Sequence, residues 1–265
     1  MKNVLLKFLI LLSILVSSVF SDNINARKIM EKVNSRYEGQ NQISNMEMIL
    51  INKSSQKKVR KLRTLKQITD NVTKSILFFN YPLDVKGSGF LTYDYSDMVI
   101  DDEQWLYLPA LQKTKRIVSS ERSKSFMGSD FTYGDMKKHE INNYTYKILK
   151  SLKVNGHDTW VIEALPINHK VIEETGYTKS ILFVQKDIYF IVRAVYFLKE
   201  GKKRKYLDIQ ELKQIKNIWI ATRTTMTTQQ GRKKLHQTIL NQYNVKFDQD
   251  IDTSLLSLRG LKNGI

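Results

Sequence analysis

Apolar side chains recur at every second position along most of the chain, the spacing of strands with two distinct faces. "NMEMILIN" (45–52) puts Met46, Met48 and Leu50 on one side. "SILFFNYP" ends at Pro82, and "GFLTYDY" follows "DVKGSG", a turn in which Gly87 and Gly89 allow positive φ. "QWLYLPALQKTKRIV" reads as a strand, a turn at Pro109-Ala110 and a returning strand. "YTYKILKSLKVNGHDTWVIEAL" contains Asn155-Gly156, the strongest short hairpin signal. Five further segments, from "YTKSILFVQKD" to "HQTILNQYNVKF", are joined by short polar turns. The count is about 11 to 13 strands with no βαβ alternation, so the class is mainly β and the sheet antiparallel. Several strands are apolar on both faces. In "YFIVRAVYFL", Ile191, Val195 and Phe197 oppose Val192, Ala194, Tyr196 and Leu198. A sheet wetted on one side would alternate cleanly, so helices, a second sheet or a ligand must cover the other face.

The period departs from two near the start. Residues 23–38 predict one amphipathic helix with Ala26, Ile29, Met30, Val33 and Tyr37 on a face. Asn23 or Asn25 caps it and Gly39 stops it. Before it, "MKNVLLKFLILLSILVSSVFS" has two lysines and then an uncharged run of 13 residues, Phe8 to Phe20. That is short of the ~20 needed to span a bilayer. Val19 and Ser21 fit a cleavage site, so residues 1–21 are expected to be an export signal cut after Ser21. Retention as an anchor stays open. With three prolines in all and no linker-like stretch, residues 22–265 are expected to form a single domain.

Composition narrows the chemistry. No cysteine is present, which excludes disulfide scaffolds, thiol nucleophiles, thiolate metal ligands and a lipid-carrying cysteine at the cleavage site. The net charge is +17, but only 11 of 43 basic residues are arginine. Nucleic-acid recognition favours arginine, so no nucleic-acid partner is expected. The basic clusters at 56–63, 113–116, 201–205 and 231–234 mostly sit at strand ends. They read either as solvated turns that blunt sheet edges or as a rim attracted to an anionic membrane or acidic partner.

Catalytic and metal patterns are not found. His139, His157, His169 and His236 lie far apart, without HxH or HExxH spacing. Asp130, Asp135 and His139 match no metal-loop pattern, and the two aspartates read as turn or helix caps. There is no nucleophile elbow or phosphate loop. "KGSG" (86–89) precedes a strand, whereas a phosphate loop opens a helix. The expectation is a protein that is not an enzyme and has no cofactor or metal.

Three blocks are more specific: "YPLDVKGSGFLTYDY" (81–95), "DDEQWLYLPALQKTKRI" (101–117) and "SFMGSDFTYGDM" (125–136). In residues, order and spacing they resemble the signature blocks of the outer-membrane lipoprotein-sorting family, the LolA-like periplasmic proteins related in fold to LolA and LolB. The layout agrees across most of the chain after residue 21, its ends by pattern only. The resemblance implies an incomplete antiparallel β-barrel with an N-terminal helix and a lid of helices and loop over an apolar concave face. It implies a periplasmic carrier of lipid or lipoprotein acyl chains, working between an inner-membrane transporter and the outer membrane. A sensor or adaptor acting through a protein partner is the alternative, because lipid-sensing regulators share the fold.

On this reading residues 124–136 form a flap over or beside the open end of the barrel, with Gly128 and Gly134 suited to a hinge. The candidate cavity or lid residues are Met46, Met48, Phe90, Trp105, Tyr107, Phe126, Met127, Phe131, Tyr133 and Trp160. Each also fits an ordinary core position.

Overall fold

The computed structural model describes residues 25–97 and 99–264; the export segment read at 1–21 lies outside them. The period-two segments become thirteen strands: β1 (Asn41–Asn52), β2 (Lys57–Ile68), β3 (Val72–Tyr81), β4 (Gly89–Tyr95), β5 (Glu103–Leu108), β6 (Lys113–Arg116), β7 (Tyr144–Val154), β8 (His157–Pro166), β9 (Tyr177–Gln185), β10 (Phe190–Leu198), β11 (Lys203–Ile215), β12 (Ile218–Gln230) and β13 (Lys233–Phe247). They form one antiparallel sheet in the order β6-β5-β4-β3-β2-β1-β13-β12-β11-β10-β9-β8-β7. The sheet does not close, so the architecture is an incomplete barrel.

Every neighbouring pair is consecutive in sequence except β1 and β13, which zip together from Gln42 opposite Phe247 to Asn52 opposite His236. The chain thus meanders out to one edge at β6, crosses to the other edge at β7 and meanders back. Residues 117–143 make that crossing. Register shifts in β1, β7 and β11 mark bulges, which bend and twist strands and so help the sheet curl. The predicted Asn155-Gly156 turn has φ of 51° and 86°, both in the left-handed region that a tight hairpin needs.

Three α-helices and six short 3-10 turns complete the described residues, the α-helices being α1 (Ala26–Asn34), α2 (His169–Thr175) and α3 (Leu258–Asn263). Asn25 caps α1, its side chain accepting from the Arg27 amide at 2.8 Å. The helix stops four residues short of the expected end, and Tyr37 is 65% exposed rather than on the buried face. Residues beyond Asn34 turn to the sheet instead. The Arg36 guanidinium lies 4.1 Å from the Phe190 ring centre, and Glu38 pairs with Lys66.

Register carries one continuous inner face across the sheet. Leu106, Phe90 and Leu77 lie side by side on β5, β4 and β3. Met48 and Leu240 pair across the β1–β13 seam. Leu207, Ala194, Leu182 and Ile162 continue the row on β11 to β8. The first half of this face forms a core with Phe126 and Tyr133 of the crossing, and the second half forms a core with Ala26, Ile29 and Met30 of α1.

On the outer face, Leu65, Ile76, Phe78 and Leu91 pack against Leu256 and Leu261. The C-terminal stretch is therefore a structural cover for this face. Gly89 is needed for this close approach and not for positive φ. A Cβ there would lie 2.7 Å from Leu261 Cδ1, whereas Gly87 does carry the turn's positive φ of 79°.

Candidate functional site

The inner face is the site the fold builds, and the crossing segment divides it. Between the crossing and β9–β12 lies a cavity of about 230 Å³, whose lining includes Phe131, Tyr177, Leu182, Ile191, Leu207 and Met226. A second compartment of about 270 Å³ lies between the α1–β1 connection and the central strands, with Met46, Phe190, Trp219, Ile220, Leu240 and Phe247 among its walls. A larger groove of about 860 Å³ is polar, with Lys66, Thr73, Thr92, Asp94 and Lys138 on its walls. Asp135, Lys137 and Lys138 border both the groove and the first cavity, and Arg36 and Glu38 border both the groove and the second. Each apolar compartment is smaller than the ~300–1,000 Å³ common for small-molecule pockets. The trough is largely filled by protein.

Phe126 is the main filling. It is completely buried, its ring centre 5.1 Å from Phe90, 5.5 Å from Tyr133 and 6.4 Å from Phe79. Full burial of such a side chain contributes about 1.5–3 kcal/mol. Two carboxylates then fix the crossing across the trough. Asp130, its side chain 1% exposed, accepts from Thr228 Oγ1 at 2.5 Å and Thr238 Oγ1 at 2.7 Å. His236 Nδ1 stands 2.7 Å from the same carboxylate, and the Asp130 amide donates back to Thr238 Oγ1 at 2.9 Å. Asp135 accepts from Tyr177 OH at 2.8 Å and from the Thr132 amide at 2.7 Å. On the sheet's other wing, Gln104 Nε2 donates to the Tyr133 carbonyl at 2.8 Å, and Arg60 donates to that of Met127. One segment thereby ties strands from both wings of the open sheet.

These contacts correct two expectations. The segment lies on the inner face, anchored at its centre, and is not hinged at both glycines. Gly134 is a close-approach glycine, since a Cβ there would stand 3.1 Å from the Glu174 carbonyl oxygen. Asp130 does not cap a local turn; it reaches strands about a hundred residues away, whereas Asp135 both closes its turn and bonds Tyr177.

Burial shapes the charges. It lowers the Lys205 pKa, with Asp135 and Asp130 opposing, while Lys205 Nζ lies 3.3 Å from Tyr177 OH. Burial and then Asp102 push Asp94 up to about 6. Carboxylate oxygens of Asp94, Asp102 and Glu140 gather within 4.8 Å. Lys137 supplies the cation there, bonded to Asp102 and 4.0 Å from Glu140. His139 stacks on Tyr144 at 4.4 Å and bonds Tyr146 OH at 2.8 Å, and burial drives its pKa down to about 4.

The ten residues singled out from sequence do not form one lining. Met48, Phe90, Phe126 and Tyr133 meet in one cluster with Met46 and Met127 against it. Phe131 borders the 230 Å³ cavity and Met46 the 270 Å³ compartment. Trp160 sits under α1, its ring 5.7 Å from Tyr189. Trp105 and Tyr107 lie on the outer face with α3, because strand parity sends Leu106 and Leu108 inward. Leu182, Ile191, Leu207, Met226 and Leu240 were missed; the doubly apolar 189–198 run was the only signal pointing to that wing.

An open, curled antiparallel sheet with an apolar inner face under an N-terminal helix and a crossing loop is the LolA-type fold. The chain belongs to the LolA-like outer-membrane lipoprotein-sorting family. A domain named for outer-membrane lipoprotein sorting, from Vibrio parahaemolyticus, is 31% identical, with a TM-score of 0.80 over 89% of this chain and 98% of its own. A DUF1329 family protein from Desulfovibrio piger has a TM-score of 0.80 at 24% identity, covering 89% and 97%. A LolA superfamily protein from Nitrosomonas europaea has 0.64 at 16% identity, covering 89% and 99%. A family model described as "uncharacterized protein" matches residues 71–263. No curated protein matches the sequence. No described helix is long and apolar enough to cross a membrane.

Proposed function

We propose that the inner trough carries an acyl chain, of a lipid or of a lipidated protein, in transit between inner-membrane export machinery and the outer membrane. On this reading residues 1–21 direct export to the periplasm and are removed, and residues 22–265 work as one non-enzymatic domain. The observation that carries the reading is the divided apolar trough, its compartments of about 230 and 270 Å³ running along an otherwise packed inner face. A flexible chain suits it, since each buried methylene contributes about 0.8 kcal/mol without any polar recognition. Loading then requires a cover to shift.

Native mass spectrometry of protein from a periplasmic extract, followed by organic extraction, tests this. The expected result is a discrete mass excess that extracts as phospholipid or acylated peptide. Leu207→Trp, which narrows the 230 Å³ cavity, is expected to lower loading about tenfold or more with the melting temperature kept. A clean empty mass that also refuses added lipid would sink the reading. A second reading, an adaptor for a protein partner, is favoured by the free edge of β7, 11 residues long. One stoichiometric partner on pull-down, with no lipid, would select it.

A further inference from the structure

Strand direction sorts the charged turns by end. The β1–β2, β12–β13 and β10–β11 hairpins all turn at the same end of the sheet and are consecutive along it. Neighbouring hairpins stand two strand spacings apart, about 10 Å. The first carries Lys53, Lys57 and Lys58, the second Arg232, Lys233 and Lys234, and the third Lys199, Lys202 and Arg204. All nine are exposed. Glu200 of the third hairpin pairs with Lys203, Glu173 of α2 pairs with Lys199 at 3.0 Å, and Asp84 sits in the neighbouring β3–β4 turn. None of the basic residues of the first two hairpins is in an ion pair among the described residues.

A lysine bias of composition would load both ends of the same strands alike. It does not. Counted the same way, turns with strand ends, the opposite end carries Asp70, Asp187, Asp248, Asp250 and Asp252 against Lys66, Lys186, Lys213, Lys216 and Lys246, which balance. Beside the basic hairpins, the next turns along the sheet hold apolar tips out to solvent. Leu83 is 86% exposed, Leu111 62% and Tyr81 54%.

We propose that this basic end, with Leu83 and its apolar neighbours beside it, docks the protein on an anionic phospholipid surface. Lysines on separate exposed hairpins suit a diffuse layer of charge better than one fixed carboxylate or phosphate. Each adds attraction near an anionic leaflet, and exposed apolar tips find a place at the headgroup boundary. An acidic protein would reward the lysines but gives no reason for Leu83. The docking stands apart from the carrier reading: vesicle binding without acyl cargo would keep one and remove the other.

Flotation with vesicles of phosphatidylcholine, alone and with about a quarter phosphatidylglycerol, tests it. Binding is expected only to the anionic vesicles. It should be lost when salt rises from about 0.1 M to about 1 M and the screening length falls from about 10 Å to about 3 Å. Lys58→Glu, Lys202→Glu and Lys233→Glu together, one per hairpin, are expected to weaken it about a hundredfold or more at an unchanged melting temperature. The same charge change on the β7 edge, Lys147→Glu, Lys150→Glu and Lys153→Glu, should cost far less. Leu83→Asp should cost about tenfold. Equal losses from both triple variants, or equal binding to neutral vesicles, would overturn the proposal. So would tight binding to polyglutamate with no effect of Leu83→Asp, which would assign the end to an acidic protein.

Discussion

The crossing segment and α1 each cover one wing of the inner face, but they are held down differently. The crossing inserts Phe126 and then secures itself with the buried Asp130 and half-buried Asp135 carboxylates and with side-chain bonds from Gln104 and Arg60. The helix buries Ala26, Ile29 and Met30, and its bonds to Asn142 and Tyr189 are exposed. Lifting the crossing would strand polar groups in an apolar trough, a cost of about 1–3 kcal/mol for each one left unpaired. Lifting the nine-residue helix exposes its apolar stripe and the wing beneath it, Trp160 and Ile162 included, but breaks only the exposed side-chain bonds to Asn142 and Tyr189. A helix that short has no stability of its own. The crossing is therefore expected to be the fixture and α1 the cover that opens first. The lid that the resemblance implies would then consist of a static loop and a movable helix.

The largest expected effect breaks the fixture. Asp130→Leu removes the group that Thr228, Thr238 and His236 share, and a loss of about 3–5 kcal/mol of unfolding free energy is expected by denaturant titration. Asp130→Asn, which keeps part of the hydrogen bonding, should cost less. A loss below about 1 kcal/mol for Asp130→Leu, the size of one ordinary net hydrogen bond, would mean that apolar packing alone holds the crossing. The contrast with α1 would then disappear.

Titration sharpens the same comparison, because two groups in and beside the crossing respond to acid in opposite directions. His139 is held at about 4 by burial, below its ordinary 6.5. Between those pH values the unfolded chain takes up the proton more readily, so stability through this group falls as pH drops, by about 3 kcal/mol in full. Asp94 is raised to about 6 from 3.8, so the folded state takes up its proton first and stability through that group rises over much the same range. The two largely cancel in the native sequence. His139→Gln should leave a protein that gains stability from pH 7 to pH 4.5, and Asp94→Asn one that loses it. Parallel profiles for the two variants in urea melts would refute the assignment.

Much of this architecture is legible in the sequence because it rests on local signals. Alternation gives the strands, Asn155-Gly156 its hairpin, Pro109-Ala110 its turn, and Asn25 the cap of α1. What the sequence does not carry is the assignment of faces across long range. Trp105 is the largest side chain in its block, yet Leu106 points into the trough, and only the pairing of Leu91 with Trp105 and of Phe90 with Leu106 decides this. Asp130 looks like a turn residue because its partners at 228, 236 and 238 come close only when β13 returns to β1. The wing formed by β9–β12 was missed for the same reason. Apolar residues on both sides of β10 announce a covered face without saying which side faces α1 and the cavity.

The smallest effect is the most diagnostic. Asn25→Ala removes the acceptor that satisfies the Arg27 amide at the start of α1, at a cost of about 1 kcal/mol to the helix. If α1 opens on its own, that cost falls on the local opening alone. Amides of Ile29 and Met30 should then exchange about fivefold faster, with those of the crossing and the global urea midpoint nearly unchanged. Acyl loading should also become faster, since the helix is the cover that cargo must displace. If the midpoint instead falls by the full amount and exchange at Ile29 follows it, α1 leaves only when the whole molecule unfolds. The two covers would then be one cooperative unit, and cargo would have to enter along the polar groove without lifting either.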